Sequence, residues 1–161
     1  MTTIRTVRPE DRNEWVRLRH ALWPDGTLEE HELDVDRFLK GNHHEPAEVL
    51  IAFDGNGRAL GFVELSIRNI VDSCHTDRVG YLEGWYVIPE ARRQGTGAAL
   101  VAAAERWALG QGCREFASDA ALNNEGSQRA HLALGFTETG RSVNFRKDLQ
   151  RAIMEADISR W

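Results

Sequence analysis

The segment VIPEARRQGTGAAL, Val87–Leu100, constrains the fold more than any other stretch of the sequence. An apolar run ends at a proline, two arginines and two closely spaced glycines follow, and a helix-forming run then begins. Backbone N–H groups at a helix start point outward, and the helix dipole adds partial positive charge there. The segment therefore predicts a strand–turn–helix unit that binds an anion, with a pyrophosphate as the natural candidate. A plain turn with solvated arginines is the alternative.

Two familiar phosphate-binding motifs do not match this turn. The dinucleotide fingerprint G-x-G-x-x-G requires a third glycine, but GTGAAL has Leu100 at that position. The P-loop requires a lysine directly after its second glycine, and no such lysine follows here. The turn is therefore neither a dinucleotide fingerprint nor a P-loop.

Composition limits the classes of partner. The chain has 161 residues and a formal net charge of -5 at pH 7. The length predicts one domain, and the charge argues against a nucleic-acid partner, which usually requires a basic face. The charge fits a cationic substrate, although many acidic proteins have none. Cys74 and Cys113 form no CxxC pair, so we expect neither a metal site nor a disulfide framework. Because no apolar leader and no apolar run of about 18 residues is seen, we expect no membrane partner and a cytoplasmic location.

Apolar periodicity and turn residues predict an α/β chain whose mixed sheet begins with antiparallel hairpins. Helices are predicted from Pro9 to about Leu22, at Leu28–Leu39, at about Thr96–Leu109 and within NNEGSQRAHLALGF, stopped at Gly135. Strands are predicted at Thr3–Val7, EVLIAF, ALGFVELSIRNI, Val79–Ile88, within GCREFASD, near Phe136–Thr139 and near Ser142–Lys147. Gly84 interrupts the fourth strand and suggests a β-bulge. Residues 1–148 are predicted to form the domain, and residues 149–161 a tail that is either one more helix or a frayed end.

Three motifs in series point to one family. RRQGTG resembles the R/Q-x-x-G-x-G/A motif of the GNAT superfamily of acetyl-CoA-dependent N-acetyltransferases. YVIP resembles the V-x-P strand end of that family, and NNEGSQRAHLALGF resembles its N-x-x-A-x-x-x-Y-x-x-x-G-F helix. The matching positions are Arg92, Gly95, Gly97, Asn124, Ser127, His131, Gly135 and Phe136.

The resemblance implies the GNAT fold, a mixed and mostly antiparallel sheet with a splayed parallel strand pair and flanking helices. It also implies acetyl-CoA as co-substrate and a homodimer. Backbone amides of Arg93, Gln94, Gly95, Thr96, Gly97 and Ala98 would hold the pyrophosphate. Trp85, Tyr86 and Val87 would offer backbone hydrogen bonds to the pantetheine arm, which would enter where a bulge at Glu83–Gly84 splays two parallel strands apart. Asn124 would contact the cofactor from the following helix.

Four further segments are similar to the chromosomally encoded bacterial aminoglycoside 6′-N-acetyltransferases. They are LRHALWPDG, ALGFVELSIR, LEGWYVIP and GCREFASD, with AHLALGF in support. This resemblance implies acetyl transfer to the 6′-amine of a cationic amino sugar. A GNAT enzyme for another amine, such as a polyamine or a protein amino group, is an alternative. A GNAT-like module that binds acetyl-CoA without catalysis is another.

The residues that bind the acceptor are sought among carboxylates, because an amino sugar is cationic at pH 7. Glu83 lies in an otherwise apolar strand and is either solvated at the bulge or placed to orient an amine. Asp119 ends the next strand and is either a general base or a turn residue. Trp23 is either a core residue or a wall for a sugar ring. The stretch Asp25–Asp36 carries six acids, five of them on a predicted helix, and is either a solvated face or part of the cleft.

Two assignments depend on departures from the family pattern. His131 stands where many GNAT enzymes have a tyrosine near the CoA sulfur, so it is either a general acid or a packing residue. Glu138 is a possible substitute for an acidic residue that the resemblance places near Gly140. Asp119, Glu83 and His131 are thus the candidate catalytic residues, with Trp23 and Glu138 as further acceptor contacts.

Overall fold

A computed structural model describes residues 1–160, and within them five strands form one sheet in the order β1-β2-β3-β4-β5. The strands are β1 (Thr3–Thr6), β2 (Glu48–Phe53), β3 (Ala59–Arg68), β4 (Val79–Val87) and β5 (Glu115–Ser118). The pairs from β1 to β4 are antiparallel, whereas β4 and β5 are parallel. The mixed sheet with one parallel pair is therefore confirmed.

The described residues form five helices, of which the first three cover the two faces of the sheet. They are α1 (Arg12–Leu22), preceded by a 3₁₀ turn at Pro9–Asp11, α2 (Leu28–Leu39), α3 (Thr96–Gly110), α4 (Glu125–Ala133) and α5 (Leu149–Ile158). Helix α2 begins at a capping box in which Thr27 and Glu30 satisfy each other's backbone N–H groups. Helix α5 shows that the tail is helical at least over Leu149–Ile158. Among residues 1–160, no helix is long and apolar enough to cross a membrane.

Two buried clusters lie on opposite faces of the sheet. Trp15, Leu18 and Val35 from α1 and α2 pack on one face against Phe62. Leu100, Val101 and Ala104 from α3 pack on the other face against Leu65 and Leu82. The same strands β2, β3 and β4 supply both clusters, because successive side chains of a strand point to opposite faces.

The predicted bulge in the fourth strand is confirmed. Glu64 of β3 lies opposite Gly84, and Leu65 lies opposite Leu82, so Glu83 is the extra residue of β4. A Cβ on Gly84 would come within 2.7 Å of the Trp23 ring. The absence of a side chain at Gly84 therefore allows α1 and Trp23 to pack directly on the bulge.

The two strands predicted near Phe136–Thr139 and Ser142–Lys147 are wrong for this structure. Residues 136–148 contain no strand, and residues 137–150 are all exposed. The alternation in SVNFRK is typical of a strand, but a strand requires hydrogen bonds to a neighbouring strand. Strand β5 has only four residues and, within residues 1–160, pairs with β4 alone.

Candidate functional site

The parallel pair β4–β5 separates part-way along the sheet. Pairing runs from Val79 opposite Glu115 to Leu82 opposite Ser118, and then stops. Strand β4 continues to Val87 while the chain leaves β5 at Asp119. The bulge residue Glu83 is the first residue of β4 beyond this pairing. The split thus lies between the carboxyl ends of two parallel strands, where ligands of α/β sheets bind.

The glycine turn presents unsatisfied backbone donors at the start of α3. Arg93 and Gly95 both have positive φ, 61° and 86°, and Gly95 is the N-cap residue. Glycine has no side chain to cap the helix, and the first turn of α3 contains no acidic residue. By contrast, the first turn of α2 contains Glu29 and Glu30. The N-terminus of α3 therefore retains the positive potential that suits an anion.

Two polar side chains of this turn hydrogen-bond to backbone carbonyls just before it. Arg92 donates from Nε to the Val87 carbonyl at 2.9 Å and lies over the Tyr86 ring at 5.5 Å. Gln94 donates to the Glu90 carbonyl at 3.1 Å. Arg92 and Gln94 hold the loop in place, so the backbone amides of residues 93–98 remain the groups that could contact a pyrophosphate.

Trp85 fits a ligand that passes between the split and this turn. Its Nε1 is buried and, among the described residues, has no hydrogen-bond acceptor. A Cβ on Gly97 would approach the same indole at 3.2 Å. Buried donors without partners are rare in proteins, so this N–H is available to an acceptor that the chain itself does not supply. The residues present thus fit a CoA-type group held by the turn and the end of β4.

Replacement of Gly97 by valine is expected to raise the KM for acetyl-CoA by about tenfold or more, because the side chain must displace Trp85 and cover the helix start. Steady-state kinetics and calorimetric titration with CoA would measure the effect. Gly110→Ala is the matched control, since a Cβ there meets nothing within 4 Å. Equal CoA affinity in the two variants would contradict the placement of Gly97.

On the α1–α2 face, Glu83 is held by two neighbours from β3. Ser66 donates to Glu83 Oε1 in a short hydrogen bond. Arg68 donates from Nε at 2.9 Å and from a terminal nitrogen at 2.8 Å, which makes a two-pronged ion pair. The hydrogen bonds to Glu83 raise the pKa of Arg68 further above its usual range. Glu83 thus meets a cation, the chain's own Arg68, while its side chain remains 22% exposed. Its role in orienting an amine stays a prediction.

Asp119 lies on the same face and is oriented by Tyr81, which donates to Oδ2 at 2.6 Å. Burial raises the pKa of Tyr81 well above its ordinary value, and the hydrogen bond to Asp119 raises it further. Tyr81 thus stays a neutral donor. The guanidinium carbon of Arg68 lies 3.6 Å from the centre of the Tyr81 ring. Glu83, Arg68, Tyr81 and Asp119 form one continuous cluster at the split.

His131 is fixed on the α4 side of the split. Its Nδ1 lies 2.7 Å from the Ser127 carbonyl oxygen, which can only accept, so the proton is assigned to Nδ1. Its Nε2 lies 2.7 Å from Ser118 Oγ, within hydrogen-bond distance. The ring also packs edge-on against Trp85 at 5.2 Å. His131 both packs and hydrogen-bonds, and its role as general acid stays a prediction.

The remaining predicted contacts have defined partners. Trp23 packs edge-on against Phe62 at 6.2 Å and lines a groove of about 460 Å³ between α1 and α2. Asn124 caps α4 by accepting from the Ser127 N–H at 3.0 Å. Glu138 pairs with Arg141 and lines an open cleft of about 1480 Å³ that also reaches Asp119 and His131. Their roles as substrate or cofactor contacts stay predictions.

The acidic stretch Asp25–Asp36 is only partly available to a ligand. Asp36 pairs with Arg12 at 2.6 Å, Asp34 pairs with Arg19 at 3.1 Å, and Glu30 belongs to the capping box. Within residues 1–160, no ion-pair partner is found for Asp25, Glu29 or Glu32. Over the same residues, no cluster of three or more His, Cys, Asp or Glu side chains is arranged for a metal ion.

Comparison with known proteins decides the family. The model of the acetyltransferase (GNAT) family matches residues 15–136. This chain belongs to the GNAT family. The matched region runs from α1 through the turn and α4, and so includes every residue of the cluster at the split.

Relatives of this GNAT chain share one name. It is 53% identical over 146 residues to an aminoglycoside N(6′)-acetyltransferase type 1 of Klebsiella aerogenes, over 91% of this chain and 96% of that protein. It is 43% identical over 136 residues to the Serratia marcescens protein of the same name, and this match covers 84% of this chain and 91% of that protein. The structure of AAC(6′)-Iy in complex with the bisubstrate analogue CoA-S-monomethyl-acetylneamine has a TM-score of 0.83 and 37% identity. That match covers 92% of this chain and 99% of AAC(6′)-Iy.

Proposed function

We propose that this GNAT enzyme transfers the acetyl group of acetyl-CoA to the 6′-amine of aminoglycosides. The cluster that joins Glu83, Arg68, Tyr81 and Asp119 at the split carries the proposal, because it places two carboxylates beside the predicted donor site. The names of the relatives and the bisubstrate analogue bound to AAC(6′)-Iy support the same acceptor.

The proposed chemistry is direct attack in a ternary complex: the amine nitrogen forms the amide bond as the carbon–sulfur bond breaks, and CoA leaves as a thiolate that takes up a proton. Acetyl-CoA supplies the activated acetyl thioester. The acceptor amine arrives mostly protonated and must lose a proton before it can attack. Tyr81 fixes Oδ2 of Asp119, while Oδ1 accepts no hydrogen bond from the described residues, so Oδ1 is the proposed proton acceptor. Glu83 is proposed to bind and orient the amine, and a backbone N–H near the bulge to stabilise the developing oxyanion.

The acceptor assignment is tested by CoA release. We expect turnover with neamine and with other aminoglycosides that carry a 6′-amine, and none with matched aminoglycosides that carry a 6′-hydroxyl. Spermidine and a lysine-containing peptide belong in the same panel. Turnover on either of these alone would favour an enzyme for another amine. Inactivity on all acceptors, with CoA still bound, would favour a non-catalytic module.

We propose in addition that the chain works as a homodimer in the cytoplasm, where acetyl-CoA is produced, without nucleic-acid or membrane partners. Val143 and Phe145 are 68% and 93% exposed in the segment after α4. Large apolar side chains left in water favour association, so this segment offers an uncovered apolar edge. A second copy that covers this edge would double the 18.2 kDa mass seen by sedimentation equilibrium.

A further inference from the structure

Arg68, like Tyr81, is a member of the cluster at the split that sequence reasoning did not single out. It is the last residue of β3, and its guanidinium binds both carboxylate oxygens of Glu83, at 2.9 and 2.8 Å. The same guanidinium lies over the face of Tyr81 at 3.6 Å. A carboxylate beside an aromatic face is an arrangement that binds ammonium and guanidinium groups well. The protein's own cation therefore occupies a position suited to a cationic acceptor.

The local structure allows this cation to leave. The Arg68 side chain is 39% exposed, and the paired Glu83 side chain is 22% exposed. The chain after Arg68 enters the loop between β3 and β4, so a change of side-chain rotamer can bring the guanidinium into solvent. Ser66 donates to Glu83 independently of Arg68. The carboxylate would thus keep its orientation while its cationic partner is exchanged.

We propose that Arg68 is a specificity-determining residue that occupies the ammonium subsite at Glu83 until the acceptor displaces it. The acceptor class, a polyamine-like cation, rests on the proposed function. An acceptor with a single ammonium group only exchanges one cation for another at Glu83 and gains little free energy. An acceptor with several ammonium groups also gains from exposed acids at α2, such as Asp25 and Glu29, for which no ion-pair partner is found within residues 1–160. Arg68 therefore disfavours monoamines through competition, as specificity requires.

Binding measurements with neamine test the displacement. Arg68→Met removes the charge and keeps the apolar stem of the side chain, and it is expected to tighten neamine binding about three- to tenfold in calorimetric titration. Arg151→Met is the matched control, since it removes the same charge from an exposed pair with Glu155 on α5 and should leave neamine affinity unchanged. Weaker neamine binding by Arg68→Met would mean that Arg68 stays in place and orients Glu83, which would overturn the proposal.

A second readout uses the unmodified protein and depends on no variant's stability. The NMR signal of the Arg68 Nε–H group should be protected from exchange in the free protein and should become solvent-exchanging with saturating neamine. Persistence of the protected signal in the neamine complex would overturn the proposal and leave the proposed function intact.

Failure of the proposed function can be separated from failure of this inference. If the wild-type chain acetylates no aminoglycoside, the proposed function is wrong. Spermidine, a polycation of unrelated shape, then serves as the probe in the same titrations. Tighter spermidine binding by Arg68→Met than by the wild type would still support the ammonium subsite, and equal or weaker binding would overturn it.

Discussion

Replacement of Asp119 by asparagine is expected to lower kcat by about 10²- to 10⁴-fold, the range typical for loss of a general base. Asparagine has nearly the same shape and can still accept the hydrogen bond that Tyr81 donates at 2.6 Å. The variant therefore loses the capacity to take up a proton and little else. Because the turn at the start of α3 is untouched, the affinity for CoA should be retained.

The matched control for Asp119→Asn is Tyr81→Phe. This variant keeps the carboxylate and removes only the hydroxyl that orients it, so a smaller fall in kcat is expected. Both kcat and the calorimetric affinity for CoA should be measured for each variant with a saturating aminoglycoside. Unchanged turnover by Asp119→Asn would show that another group takes the proton from the amine.

The second large effect is on stability. Arg19→Met is expected to destabilise the fold by about 3–5 kcal/mol, because it leaves the carboxylate of Glu64 buried without its counter-charge. The side chains of Arg19 and Glu64 are 10% and 5% exposed, and Trp15 Nε1 also donates to Glu64 at 3.0 Å. For a chain of this size, such a loss corresponds to a fall in Tm on the order of 10 °C. Urea or thermal unfolding would measure it.

Two controls separate the buried pair from a general charge effect. Arg12→Met removes an arginine from the more exposed pair with Asp36 and should cause a much smaller change. The double variant Arg19→Met/Glu64→Leu removes both buried charges and should recover much of the lost stability. If the double variant were as unstable as Arg19→Met, the unpaired carboxylate would not be the cause.

Local signals explain why several elements could be predicted from the sequence. The bounds of α2 follow from the Thr27–Glu30 capping box and an apolar periodicity that needs no distant partner. The Asp54–Arg58 turn fixed the limits of β2 and the start of β3 in the same local way. The turn at the start of α3 could also be predicted, because the glycines and arginines that define it lie within six residues of one another.

Other features depend on residues that lie far apart in the sequence. The pair Arg19–Glu64 joins residues 45 positions apart, and a glutamate within an apolar strand does not reveal its partner. Arg68 could have been suspected, since strand alternation places it on the same face as Glu64 and Ser66. The strands predicted after Phe136 failed for a related reason, because their pattern contains no information about whether a neighbouring strand is there to receive them.

The single extra residue at the bulge decides which face of the sheet each side chain in the last third of β4 points to. Before it, Leu82 points toward α3. After it, Trp85 packs on the α3 side and Tyr86 on the α1 side. Deletion of one residue between Leu82 and Trp85 would reverse the two sides and turn the indole away from the glycine turn. An insertion or deletion of one residue at the bulge would therefore exchange the side chains that the end of β4 presents to α3 and to α1, whereas a change of length elsewhere in the chain would leave that order intact.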